Sequence, residues 1–393
     1  VTEYQHYQFI CDEPLSDGQL AKIRALTTRA RLTRHSFVNT YGWGDFKGDP
    51  EALVSSHYDG HLYFANWNTR RVILRWPATD LSADTAQAYC TADSAVSWES
   101  GTSVLIALES DPEDGAEDFN DLFDQPTGHT DSSERWLPSI ARGRPLVADG
   151  DLRLLYLVWL LCLHNGDLDD TDLEPPVPPG LADLPEPLAD LATFLRIDPD
   201  LIAAAAEHSS PPPSRPSIAD CQAWIHSLDP ADKDRILAEL LHVPGGRALT
   251  GLRRRFLAAQ PARGRAHEPR TVAELRALVP ARAAARTARE ELAEQEARLR
   301  EEQERRAAQD RRLAVLQHDP EAAWRRVEDL LAIKGTRHYP EVVRTLGDLG
   351  ALADREGAGE VFAHRYSRFI SGHRTKKALL RDLDAQARLR PTR

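Results

Sequence analysis

Over its first 110 residues the chain alternates between short runs of strand character and short runs with helical spacing. Tyr7 to Cys11, Ser36 to Trp43, Leu62 to Ala65, Arg71 to Trp76, Ala95 to Trp98 and Ser103 to Leu108 have the β-branched and aromatic content of strands. Asn66 to Arg70 predicts a hairpin turn between two of them. Ser16 is placed as the N-cap of a helix in which Leu20, Ile23, Ala25 and Leu26 recur at helical spacing. Asp49-Pro50 opens a second helix, and Ser82 to Tyr89 predicts a third. Strands interleaved with single helices fit an α+β sandwich, with a ferredoxin-like arrangement among its options. This pattern leaves the strand order open.

The later pattern is helical. Leu152 to Leu163 holds 11 apolar residues of 12, interrupted by Arg153, and reads as a buried helix. After an acidic, proline-rich link at 167–187, Leu188 to Leu195 and Pro199 to His208 predict two short helices split at Asp198-Pro199. Ser209 to Pro216 is a linker, followed by a helix pair at Ile218–Ser227 and Asp229–Val243. Pro280 divides the next stretch, so a long charged helix is expected just after it. Leu278, Ala285, Leu292, Leu299 and Leu313 share a seven-residue register, broken by Arg306. The companion positions are mostly polar, half of what a coiled coil requires. Trp324, Val327, Leu330 and Leu331 begin a terminal bundle, continued by Tyr339–Leu352, Ala358–Ile370 and Lys376–Leu383.

The predicted fold class is therefore α+β: an N-terminal small α/β sandwich, a mainly helical region, a long charged helix and a C-terminal helical bundle. The expected segments are an α+β domain at 1–110, an acidic flexible loop at 111–135 and a helical domain with proline-rich links at 136–246. A basic linker with short helices follows at 247–280, then the long helix with its weak coiled-coil signal at 281–317 and the bundle at 320–386.

Charge changes this picture. The 393 residues have a net charge of -12, which excludes a uniformly basic surface for nucleic acid. Residues 1–246 hold 17 basic and 40 acidic residues, whereas 247–393 hold 32 and 21, so the two segments carry -23 and +11. Lysine stands at only six positions, an arginine bias that fits a GC-rich genome. Met is absent, and Val1 fits a GTG start codon read literally. No basic region precedes an apolar stretch at the start, so a signal peptide is not expected and a cytoplasmic location is. The apolar run at 152–163 is shorter than the roughly 20 residues of a spanning helix, which argues against a membrane partner.

Candidate chemistry is sparse. Cys11, Cys90, Cys162 and Cys221 stand more than fifty residues apart, without a zinc-type spacing. There is no GxSxG elbow, phosphate loop or GxGxxG fingerprint. Gly42 to Gly48 reads as a turn rather than an anion loop. His57 and His61 have the spacing of HExxH, but lack its glutamate and enclose Gly60. The nine acids of 111–134 depart from the EF-hand register after Gly115. Asp167, Asp169, Asp170, Asp172 and Glu174 could bind Mg²⁺, but their place before Pro175-Pro176 favours an exposed linker. No catalytic residue, cofactor or metal ligand is assigned. The candidate contacts to an anionic partner are Arg253, Arg254, Arg255, Lys334, Arg337, Arg374, Lys376 and Lys377.

The segments Thr2 to Tyr7, Ser36 to Phe46 and Pro175 to Leu181 resemble an uncharacterised, mainly actinobacterial protein family. The tail around Leu330 to Lys334 and Lys377 to Leu380 is similar to that of bacterial proteins carrying a SWIM zinc domain, without that domain's cysteine and histidine ligands. The resemblance implies no catalytic residue. The expected function is that of a non-catalytic intracellular adaptor or assembly protein, with another protein or a second copy as partner. The alternatives are a metal-dependent hydrolase or nuclease using Asp149, Asp151, Asp167 or Asp170, and nucleic-acid association through the basic C-terminal region.

Overall fold

Alternating side chains along β1 (Gln5–Ile10) set the plan of the first half: Tyr7 and Phe9 enter one core, while Ile10 packs against the other. The computed structural model describes residues 3–27, 29–111, 132–212, 217–242, 247–259, 268–333 and 335–388. After β1 come α1 (Asp17–Leu26), β2 (Arg31–Leu32), β3 (Ser36–Tyr41), α2 (Pro50–Ser56) and β4 (Gly60–Ala65). Then follow β5 (Arg70–Pro77), α3 (Ala83–Gln87), β6 (Ala95–Ser100) and β7 (Ser103–Ser110). The seven strands form one antiparallel sheet in the order β2-β3-β1-β4-β5-β7-β6. From β1 to β4 the connectivity and order are those of a ferredoxin-like unit, which β5, β7 and β6 extend. β2 went unread in the sequence because two residues carry no period.

Helix ends follow local chemistry. Ser16 and Gln19 form a capping box at α1, and Asp49 caps α2 ahead of Pro50. Ser16→Ala is expected to cost about 1 kcal/mol in urea denaturation, since it strips an acceptor from the first turn. An unchanged midpoint would count against that cap.

Both faces of the sheet are covered. α1 and α2 bury Ile23, Leu53 and Val54 against Phe9, Phe37 and Ile73. The other face packs Leu62, Phe64, Val72, Leu74, Trp76 and Ile106 against a helical layer. That layer comprises α4 (Trp136–Ala141), α5 (Arg144–Ala148), α6 (Arg153–Asn165), α7 (Glu186–Phe194) and α8 (Pro199–Ala205). The apolar run forms α6, whose Leu154 to Leu163 are all buried, and Gly166 ends it in the left-handed region at φ 84°. Sheet and helical layer thus share one core.

α9 (Ile218–Ser227), α10 (Pro230–His242) and α11 (Arg247–Ala258) follow, with Trp224 edge-on to Phe256 at 5.3 Å. The long helix α12 spans Val272–His318. It begins before Pro280, not after it. Thr271 and Glu274 cap each other's backbone and side chain, and Val272 and Leu275 are fully buried in the sheet-side core. Packing outweighs the hydrogen bond that Pro280 removes.

The chain divides into two compact units, 1–286 and 287–393. In the second, α13 (Pro320–Ala332), α14 (Tyr339–Arg355), α15 (Gly359–Gly372) and α16 (Lys377–Arg388) form a bundle. Its core is built on Trp324, Val327, Leu331, Val342, Leu346, Phe369 and Leu379. Arg312 of α12 is held in this unit by the buried Asp348 at 2.7 Å.

Candidate functional site

Ten basic and only two acidic residues lie in 247–286, so most of the C-terminal positive charge belongs to the first unit. Five of those ten bases meet acids of 149–207. Arg253 pairs with Asp149 at 2.9 Å, Arg276 with Asp170 at 2.6 Å, Arg286 with Asp200 at 2.9 Å, and Arg282 with Glu207. The fifth pair is buried. Arg270 grips Glu174 through two bonds of 2.7 and 2.8 Å, and also donates to the carbonyls of Ala204 and Ala205. Tyr156 donates its hydroxyl to the same carboxylate. Burial, followed by that carboxylate, pushes the Tyr156 phenol upward. Backbone bonds from Glu174 to Arg270 and from Val272 to Asp172 stitch the two segments together.

The acidic stretch 167–174 is thus only partly the solvated linker expected. Asp169, Asp170 and Asp172 are exposed, but the Glu174 side chain is 1% accessible. The carboxylates considered for a metal have separate partners. Asp149 meets Arg253, Asp151 meets Arg153 at 2.7 Å, Asp167 accepts the Ser94 backbone N–H and Asp170 meets Arg276. Among the described residues no group of three or more His, Cys, Asp or Glu side chains could hold a metal ion.

His57 and His61 belong to different elements. His57 ends α2 and contacts Gln19, while His61 lies on β4, stacked on Phe9 at 4.1 Å. The Gly42–Gly48 turn is pinned to the sheet, since Gln5 donates to the Gly44 carbonyl and to Asp45. Cys162 is fully buried, and burial raises its thiol to about 12. The acidic loop read at 111–135 falls mostly outside the described residues.

The eight candidate contacts divide between the units. Arg253 and Arg255 lie on α11 with Arg254, whose side chain is outside the described residues, as is Lys334. Arg337, Arg374, Lys376 and Lys377 belong to the terminal bundle. There the Lys376 ammonium donates to the Leu331 carbonyl at 2.9 Å, bringing the loop after α15 to the end of α13. Residues 330–340 and 361–381 contain no acid. Arg337, Arg374 and Lys377 are exposed. Arg337 and Arg374 stand 37 residues apart in the sequence, and the carbonyl bond that brings their segments together has no sequence signature.

On α12, every residue from 287 to 307 is exposed, including Leu292 at 57% and Leu299 at 58%. Arg298, Arg305 and Arg306 each pair with the glutamate four residues earlier.

No protein-family model, curated protein or solved structure matches the chain. No helix among the described residues is long and apolar enough to cross a membrane.

Proposed function

We propose that this chain is a non-catalytic, cytoplasmic adaptor or assembly protein whose terminal bundle docks on an acidic protein surface. The observation that carries this reading is the Lys376–Leu331 bond, which brings the end of α13 and the loop after α15, each part of an acid-free segment, to one end of the bundle. Arg337, Arg374 and Lys377 present their charges there, while Lys376 serves the carbonyl end of α13. The bases of 247–286 support the same division of roles, because half of them are already paired within their own unit. Exposed Leu292 and Leu299, one heptad apart, favour a second copy as a further partner along α12.

The test uses the full chain and its Arg337→Glu/Arg374→Glu/Lys377→Glu variant, titrated with poly-L-glutamate and with mixed-sequence duplex DNA. Binding to poly-L-glutamate is expected to weaken with salt and to fall at least tenfold in the variant. Tighter binding to DNA with a steep salt slope would transfer the site to nucleic acid. Equal binding by both proteins would remove the bundle end from the account.

A further inference from the structure

β6 is the last strand of the sheet, and its neighbourhood has the makings of a peptide site. The Glu109 N–H donates to the Ser94 carbonyl, which sets Val96, Trp98 and Ser100 as the residues whose backbone groups face β7. The backbone groups of Ser97 and Glu99 therefore point off the sheet. Among the described residues, only Ala95 is engaged on that side, by a turn bond to Ala92. Beside the strand lies a cleft of about 310 Å³. Val96, Trp98 and Ala107 supply its apolar lining, and Glu51, Arg71, Asp93, Ser94 and Glu109 its polar part. The small Ala107 leaves the depression between larger neighbours.

Three carboxylates here face one guanidinium. Arg71 sits between Glu51 at 2.5 Å and Glu109 at 3.6 Å, and Asp93 has no cationic partner among the described residues. With three carboxylates to one guanidinium, the cleft carries a net negative charge. Its aromatic and aliphatic surfaces suit the stem of a long basic side chain. Glu99, exposed on the edge, disfavours pairing with another acidic edge like itself.

We infer that β6 accepts an extended basic peptide of a partner protein as an added strand, with a lysine or arginine side chain entering the cleft toward Asp93 and Glu109. Backbone pairing at Ser97 and Glu99 gives affinity, and the acidic cleft selects the side chain. This site is separate from the basic bundle end and stands or falls apart from it.

The experiment is fluorescence anisotropy with the full chain and two labelled octapeptides. Both alternate threonine with a charged residue, lysine in one and glutamate in the other. The lysine peptide is expected to bind and the glutamate peptide not to. Asp93→Lys should weaken binding at least tenfold, whereas Glu356→Lys, an equal charge change in the second unit, should leave it within twofold. Ser97→Pro removes an outward N–H without touching the bonds to β7, and should also abolish binding. Circular dichroism melts of each variant check that the sheet is intact. Equal losses from Asp93→Lys and Glu356→Lys would reduce the effect to general attraction and overturn the site. Full binding by a folded Ser97→Pro protein would overturn the added strand. Sedimentation showing a dimer that Ser97→Pro dissolves would assign the edge to a second copy instead.

Discussion

Arg270→Ala is expected to destabilise the first unit by about 3–5 kcal/mol, because it leaves a buried carboxylate without its cation. Glu174 then retains Tyr156 as a donor but loses both guanidinium bonds, and the carbonyls of Ala204 and Ala205 lose theirs. Seven of the eight tryptophans precede residue 286, so urea denaturation followed by tryptophan fluorescence reports chiefly on this unit. A triple change of Tyr156→Phe, Glu174→Leu and Arg270→Met should recover much of the loss, since it removes the charges together and keeps the volume. A loss below about 1 kcal/mol for Arg270→Ala would show that the pair contributes no more than a surface one.

The second large effect is the acid limb of stability. His61 is fully buried, donates from Nδ1 to the Gln8 carbonyl at 3.0 Å and stacks on Phe9. Burial lowers its pKa from 6.5 to about 3. The unfolded chain therefore binds a proton that the folded chain refuses between those values, and stability falls as pH drops through that window. One such group supplies a slope of roughly 1.4 kcal/mol per pH unit. His61→Asn keeps an amide donor for the Gln8 carbonyl but cannot titrate. Urea midpoints measured from pH 7 to pH 4 should decline less steeply in this variant than in the parent. Parallel curves would mean that His61 takes up its proton in the folded state.

Much of the architecture was legible because its signals are local. The Ser16 cap, Asp49-Pro50, Asp198-Pro199 and the β-branched and aromatic content of β1, β3, β5 and β7 each depend on neighbours within a few residues. The long helix and the terminal bundle were legible for the same reason. α4 and α5 are too short for a period to show, and their burial of Trp136, Ile140 and Val147 comes from the sheet beneath them. The start of α12 was misplaced at Pro280 because Val272 and Leu275 owe their helical state to a distant core. The candidate contacts were visible as charge runs. That Arg253 is already paired while Arg337, Arg374 and Lys377 stay exposed was not, since such pairs join distant segments: Arg253 and Asp149 lie 104 residues apart, and Arg270 and Glu174 lie 96 apart.

That separation also has a consequence for synthesis. At about 5–20 residues per second, Arg270 joins the growing chain roughly 5–20 s after Glu174. During that interval the whole sheet and α4 to α8 can have left the ribosome, with one wall of their core still missing. The first unit cannot close until the opening turns of α12 arrive to cover Glu174 and to supply Val272 and Leu275. A nascent chain halted near residue 250 should therefore remain sensitive to protease, and one halted well beyond residue 286 should not.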